Sequence, residues 1–293
     1  MFKLERILVP IDFSDNSLIA ASHAGALARH FHSEVTLLHV NEFLVIHPLT
    51  GPLGFGITSW ESLRSEHLAA RWKQLNEFGT AELSGIRVKR LVCSGDPAKL
   101  IVERARAENS DLIIMPTHGG GLFRRFLLGS VTAKVLHDAE CPVWTGAHLA
   151  EAPAFTLTDI RNVMCTVNFG PQSSKVVRWA AALAAECGGK LTVVHAVLET
   201  PPSLPDRYMF QWHEEAHCGA EERIQVLLRD WGIQAEVLVV SDGDIPRAIS
   251  AAAKEKAAGL LVVGRSSGGG APKRLGSHTY AILCDAPCPV VTI

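Results

Sequence analysis

The sequence has no surplus of charge of either sign: 28 Lys and Arg stand against 30 Asp and Glu, a net charge of -2. Phosphate-dominated binding needs a basic stripe, so nucleic acid and anionic membranes are not expected partners. No apolar run approaches the roughly 18 residues of a spanning helix. The opening stretch, MFKLERILVPIDFS, carries Lys3, Glu5 and Arg6 where a secretory leader would be apolar. Seven cysteines without a CxxC pair argue against a disulfide framework and a zinc site, and fit a reducing cytoplasm. There is no Walker lysine, no pair of carboxylates beside a glycine-rich loop and no nucleophile with an evident base. The chemistry to look for is therefore binding before turnover, with slow hydrolysis of the bound ligand or a ligand-free scaffold as the alternatives.

What the chain does have is a repeat. Arg6–Val40 lines up with Arg161–Ala196, setting Asp12 opposite Asn168 and His39 opposite His195 at one common spacing. Gly95–Pro116 matches Gly243–Gly264, and CPVWT from Cys141 matches CPVVT from Cys288. Self-similarity at this scale marks a tandem duplication, and 293 residues fit two domains of about 150 each. Residues 146–159, GAHLAEAPAFTLTD, read as a linker, so the domains are taken as 1–150 and 151–293.

Each half alternates short apolar runs with helical spacing. In the first, residues 7–11, 34–40, 86–92, 111–115 and 142–145 read as buried parallel strands. Leu18, Ala21, Gly25 and Ala28, and then Leu68, Trp72 and Leu75, mark helical faces. Ser14, Asp15 and Asn16 are all suitable N-caps for the first helix. Strands separated by helices give right-handed crossovers. The expected fold is α/β, two tandem doubly wound, five-stranded parallel-sheet domains.

In such a sheet, ligands sit beyond the carboxyl ends of the strands where the strand order reverses. MPTHGGGLFRRFLLGSVTAKVL, residues 115–136, leaves one such end. Its glycines admit a ligand close to the backbone, and Gly129-Ser130-Val131-Thr132 opens a helix whose first amides lack intrahelical acceptors. That arrangement favours phosphate. Ser130 and Thr132 add hydroxyls, and Arg124 and Arg125 either reach a phosphate tail or face solvent. His118 either touches phosphate or ribose or holds the turn. Asp12 either accepts from an exocyclic amine or ribose hydroxyl, or caps the helix that follows it.

These residues resemble the universal stress protein family in its tandem two-domain form, over nearly the whole length. The family's nucleotide-binding pattern is Gly, two residues, Gly, nine residues, then Gly-Ser or Gly-Thr, with an Asp ending the first strand. Asp12, Gly119, the nine residues Gly120–Leu128 and Gly129-Ser130 match it, while Pro116 stands at the first glycine. The resemblance implies a Rossmann-like fold of the adenine nucleotide alpha hydrolase type and ATP, with or without Mg, as ligand. Adenine would lie near Asp12 and the Val40 backbone, and Pro10 and Met115 would also bind the nucleotide. Ribose and phosphates would meet Thr117, His118 and Gly119, and Gly129, Ser130, Val131 and Thr132. In the second half Asn168, Gly264, Gly276 and Ser277 mark a degenerate site, since Asn replaces Asp, Ser267 replaces the second glycine and only eight residues, Gly268–Leu275, precede Gly276. The resemblance further implies pairing through the last strands as an internal pseudo-dimer, a homodimer of whole chains, and a stress-response role exercised through a protein partner.

Three other groupings carry a plainer reading. His30–His32 and the i, i+4 pair His213 and His217 read as solvated helix-face histidines, so no metal is expected. Cys284 and Cys288 are separated by Pro287 and read as small buried hydrophobes. Residues 47–63, with Phe55 and Trp60, read as a loop, either filler or a lid or partner-binding segment.

Overall fold

The computed structural model describes residues 2–42, 57–117, 128–146, 155–198, 206–265 and 275–293, with the side chains of 57–64 and 206–210 left out. His118, Gly119, Arg124, Arg125, Phe55 and Ser267 lie outside the described residues.

The first half runs β1 (Arg6–Ile11), α1 (Asp15–Phe31), β2 (Glu34–Asn41), α2 (Ile57–Glu77), β3 (Val88–Ser94), α3 (Pro97–Ala107), β4 (Leu112–Ile114), α4 (Ser130–Asp138) and β5 (Val143–Thr145). The second repeats it as β6 (Asn162–Thr166), α5 (Ser173–Glu186), β7 (Lys190–Leu198), α6 (Asp206–Asp230), β8 (Glu236–Asp242), α7 (Ile245–Glu255), β9 (Leu260–Val263), α8 (Ser277–Asp285) and β10 (Val290–Thr292). The strands among the described residues form one sheet in the order β3-β2-β1-β4-β5-β10-β9-β6-β7-β8. Each half is five-stranded and parallel. β5 and β10 join the halves antiparallel, with Trp144 opposite Val291.

Alternation along the strands divides the core between the two faces of the sheet. Ile7, Val9 and Ile11 of β1 belong to one apolar cluster with α1 residues such as Ala24 and Leu27. Leu8 belongs to the other, with Ile101 of α3 and Val135 of α4. Gly25 on α1 is required by contact: a Cβ there would lie 2.3 Å from the Glu82 carbonyl oxygen. Ser14, not Asp12, is the N-cap of α1, its side chain accepting from the Ser17 amide at 3.2 Å.

Three sequence expectations shift. Helix α2 already begins at Ile57, inside the stretch read as loop, and β3 runs two residues later than its apolar run. Trp72 is 40 % exposed while Leu75 is fully buried, because Leu68 and Arg71, both half-buried, carry the inward face of α2 instead.

Candidate functional site

The chain turns from β1 to β2 and β3 on one side and returns to β4 and β5 on the other, so the order reverses between β1 and β4. A cavity of about 330 Å³ opens there. It is lined by Pro10 and Asp12 from the end of β1, Val40 from β2, Met115 and Pro116 from the end of β4, and Gly129, Ser130, Val131 and Thr132 at the start of α4. Those segments are far apart in sequence and the sheet brings them together. Thr117 is buried directly after Pro116.

Asp12 is exposed towards this crevice, and its Oδ1 is held from three sides. It accepts from the Ser14 amide at 3.0 Å, from the Ser14 hydroxyl at 2.5 Å and from the Ser17 hydroxyl. Partial burial pushes the carboxyl's pKa up, but the bonds from Ser14 and Ser17 outweigh it and hold the group below its ordinary value. Asp12 is thus a fixed carboxylate at neutral pH. Phe13 after it takes a left-handed φ of 65°, and Phe169 repeats this in the second half at 56°. A bulky residue in that region is strained, and the strain turns the chain sharply out of the strand.

Beside Asp12, the buried His39 accommodates the Ile11 carbonyl at its Nδ1, 2.8 Å away, and tilts against the Phe13 ring at 4.4 Å. Burial lowers its pKa against the opposing effect of the Ile11 bond, so the ring is neutral near pH 7. Neutral imidazole donates from Nδ1 here. His195, Val167 and Phe169 repeat the arrangement at 2.8 and 4.5 Å.

On the other wall, α4 starts with Gly129 as its N-cap in an extended conformation and with no side-chain cap. The Gly129 amide is occupied, donating to the Thr117 carbonyl at 2.8 Å, and the first intrahelical bond runs from Ala133 to Gly129 at 2.8 Å. Ser130, Val131 and Thr132 supply the amides between them, at the positive end of the helix dipole. Thr132 differs from its sequence reading in one respect. Its hydroxyl donates to the Pro116 carbonyl at 2.9 Å, so the side chain locks the loop instead of facing a ligand. Ser130 is exposed and lines the crevice.

The second half has the same parts on a smaller scale. Asn168 Oδ1 accepts from the Gly170 amide at 3.0 Å and the Ser173 hydroxyl at 3.3 Å, and the Thr279 hydroxyl donates to the Gly264 carbonyl at 2.9 Å. Gly276 caps α8 ahead of Ser277 without a side-chain bond. The cavity is about 150 Å³, and Gln172 lines it with a buried Oε1 that has no hydrogen-bond partner among the described residues. Asn16, one position shorter in side chain, occupies the matching place in the first half.

Elsewhere, the rings of His213 and His217 stack at 4.7 Å instead of converging on a point, and among the described residues no group of three or more His, Cys, Asp or Glu could hold a metal. Cys284 lies in α8 and Cys288 beyond it, buried. Burial raises the Cys288 thiol to about 12, leaving it protonated and unreactive. No helix among the described residues is long and apolar enough to cross a membrane.

The molecule is thus an α/β protein with a crevice at the switch point of each half-sheet, about 330 Å³ in the first and about 150 Å³ in the second. The family model described as "Universal stress protein family" matches residues 3–145 and again 159–293, and the chain belongs to that family. It is 37% identical over 142 residues to universal stress protein MJ0531 of Methanocaldococcus jannaschii, covering 47% of this chain and 79% of that one. Over both halves it is 24% identical to Mycobacterium tuberculosis universal stress protein Rv2005c, covering 99% of this chain and 97% of the relative. A universal stress protein structure from Archaeoglobus fulgidus superposes with a TM-score of 0.67 at 24% identity, covering 99% and 96%; it shows the shared fold.

Proposed function

We propose that this chain binds an adenine nucleotide, ATP with or without Mg, in the first-half crevice, and that binding serves a cytoplasmic stress response through a protein partner. The observation that carries the reading is the cavity of about 330 Å³ with a fixed carboxylate, Asp12, on one wall and the start of α4, Ser130–Thr132, which lacks a side-chain cap, on the other. Asp12 suits an exocyclic amine or ribose hydroxyl as donor, and the α4 amides suit phosphate. The floor between them, Pro10, Val40 and Met115, is apolar and takes the face of a base. His118 and Gly119 complete the site on this reading.

Among the described residues around the cavity, Asp12 Oδ1 is held by three donors and His39 Nδ1 by the Ile11 carbonyl, an arrangement that suits a fixed binding wall. Binding, not turnover, is the function they support. The chain is read as domains 1–150 and 151–293, the second with a degenerate site at Asn168, Gly264, Gly276 and Ser277. The antiparallel β5–β10 seam supports an internal pseudo-dimer, on which homodimers of whole chains would build. Native mass spectrometry of the purified protein tests the reading. An adenine nucleotide retained at one per chain supports it, and a chain that retains none and gains no mass in millimolar ATP refutes it.

A further inference from the structure

The first half lines its own crevice, but the second half touches the chain just ahead of α4. The Leu128 amide, immediately before the N-cap of α4, donates to the Tyr280 hydroxyl at 3.2 Å, and Tyr280 belongs to α8 of the second half. Cys284 lies one turn further along α8. The next amide, Gly129, is fixed by the Thr117 carbonyl at 2.8 Å. Two consecutive amides are therefore tied, one to each half, directly ahead of Ser130–Thr132, which line the crevice. Leu128 is also 7 % exposed and packs in one cluster with Tyr280 and Cys284.

The tie runs one way. Aligning Gly276 with Gly129 puts Leu275 opposite Leu128 and Ala133 opposite Tyr280. Alanine has no hydroxyl, so the first half cannot return the bond. The half whose crevice is larger, about 330 Å³ against about 150 Å³, is the one whose helix start is held from outside.

We propose that Tyr280 is a positioning residue for the phosphate end of the first-half crevice, so that the second half sets the geometry of the α4 amides that receive the anion. This rests on the nucleotide reading above. A fixed amide array loses less freedom when phosphate arrives, which raises affinity for the phosphates and leaves the base end untouched.

Tyr280→Phe removes the hydroxyl and keeps the ring in its packing. Hydrogen exchange at the Leu128 amide, measured by NMR without nucleotide, is expected to quicken in this variant while amides in β1 stay protected. Calorimetric titration is expected to show about fivefold weaker ATP binding with adenosine affinity unchanged, the scale of one lost hydrogen bond. Cys284→Ala, which keeps the hydroxyl, is expected to bind ATP within about twofold of wild type. Leu128 exchange unchanged in Tyr280→Phe overturns the proposal, as does an equal loss for ATP and adenosine. Wild type that binds no adenine nucleotide, with Leu128 exchange still quickened in the variant, instead sinks the reading of the site and with it the phosphate role given to the tie.

Discussion

Asp12 and Asn168 occupy the same place in the two halves and are held in the same way, each accepting at Oδ1 from the amide two residues on, at 3.0 Å in both, and from a serine hydroxyl five residues on. The scaffold is therefore indifferent to which of the two side chains it carries, and the difference falls on the ligand.

Asp12→Asn should leave the fold intact, since the second half already runs on an asparagine. Loss of the carboxylate weakens a charge-assisted bond to the base or ribose, and adenine nucleotide affinity is expected to fall about tenfold. Equilibrium dialysis of labelled ATP beside a thermal melt separates the two effects: an unchanged melt with weakened binding is the expected pair.

The indole of Trp144 on β5 donates to Nδ1 of His23 on α1 at 3.1 Å, and Phe155, ahead of β6, stacks on the same imidazole at 4.1 Å. His23 must be neutral to accept, and burial depresses its pKa from 6.5 to about 4 against a weaker pull from Asp159. The folded state then binds fewer protons than the unfolded state between those values. Stability is complete above pH 6.5 and falls as pH drops towards 4, by about 3 kcal/mol in all from this one group. Urea denaturation at pH 7 and pH 4.5 checks it. His23→Gln, which can still accept but does not titrate, should shed the His23 share of the slope.

Arg265, 8 % exposed, is a second-half cation that reaches into the first half, donating to the carbonyls of Ala139 and Cys141 at the end of α4 and to both oxygens of Thr292 at 3.3 Å. All its acceptors are neutral, and the end of α4 adds the favourable negative pole of the helix. Burial lowers its pKa to about 10, so the charge persists at neutral pH. Arg265→Met leaves those buried carbonyls without donors and should cost roughly 2–4 kcal/mol in chemical denaturation.

Much of this arrangement could be read from residue order alone. The duplicated stretches indicate two equal five-stranded halves, and the apolar runs ending at Ile11 and Met115 put Asp12 and the glycine-rich loop at strand ends, where a switch point makes a crevice. What escaped were contacts set by tertiary packing. No periodicity distinguishes Trp72, which is exposed, from Arg71, whose guanidinium lies 5.8 Å over the Phe13 ring on the inward side. Thr132 looks like a ligand hydroxyl until the Pro116 carbonyl is found 2.9 Å away. The bond from Leu128 to Tyr280 joins positions that only the β5–β10 seam brings close.

The central claim is that the amides starting α4 seat a phosphate, and Gly129→Asp tests it most directly. Gly129 has φ -62° and ψ 147°, a backbone that aspartate adopts readily as an N-cap. The introduced carboxylate would fill the amides of the first turn and repel an incoming anion. Isothermal titration of ATP is predicted to give one site per wild-type chain and no measurable heat for Gly129→Asp, with thermal stability equal or higher. ATP binding to Gly129→Asp with wild-type affinity would contradict the account.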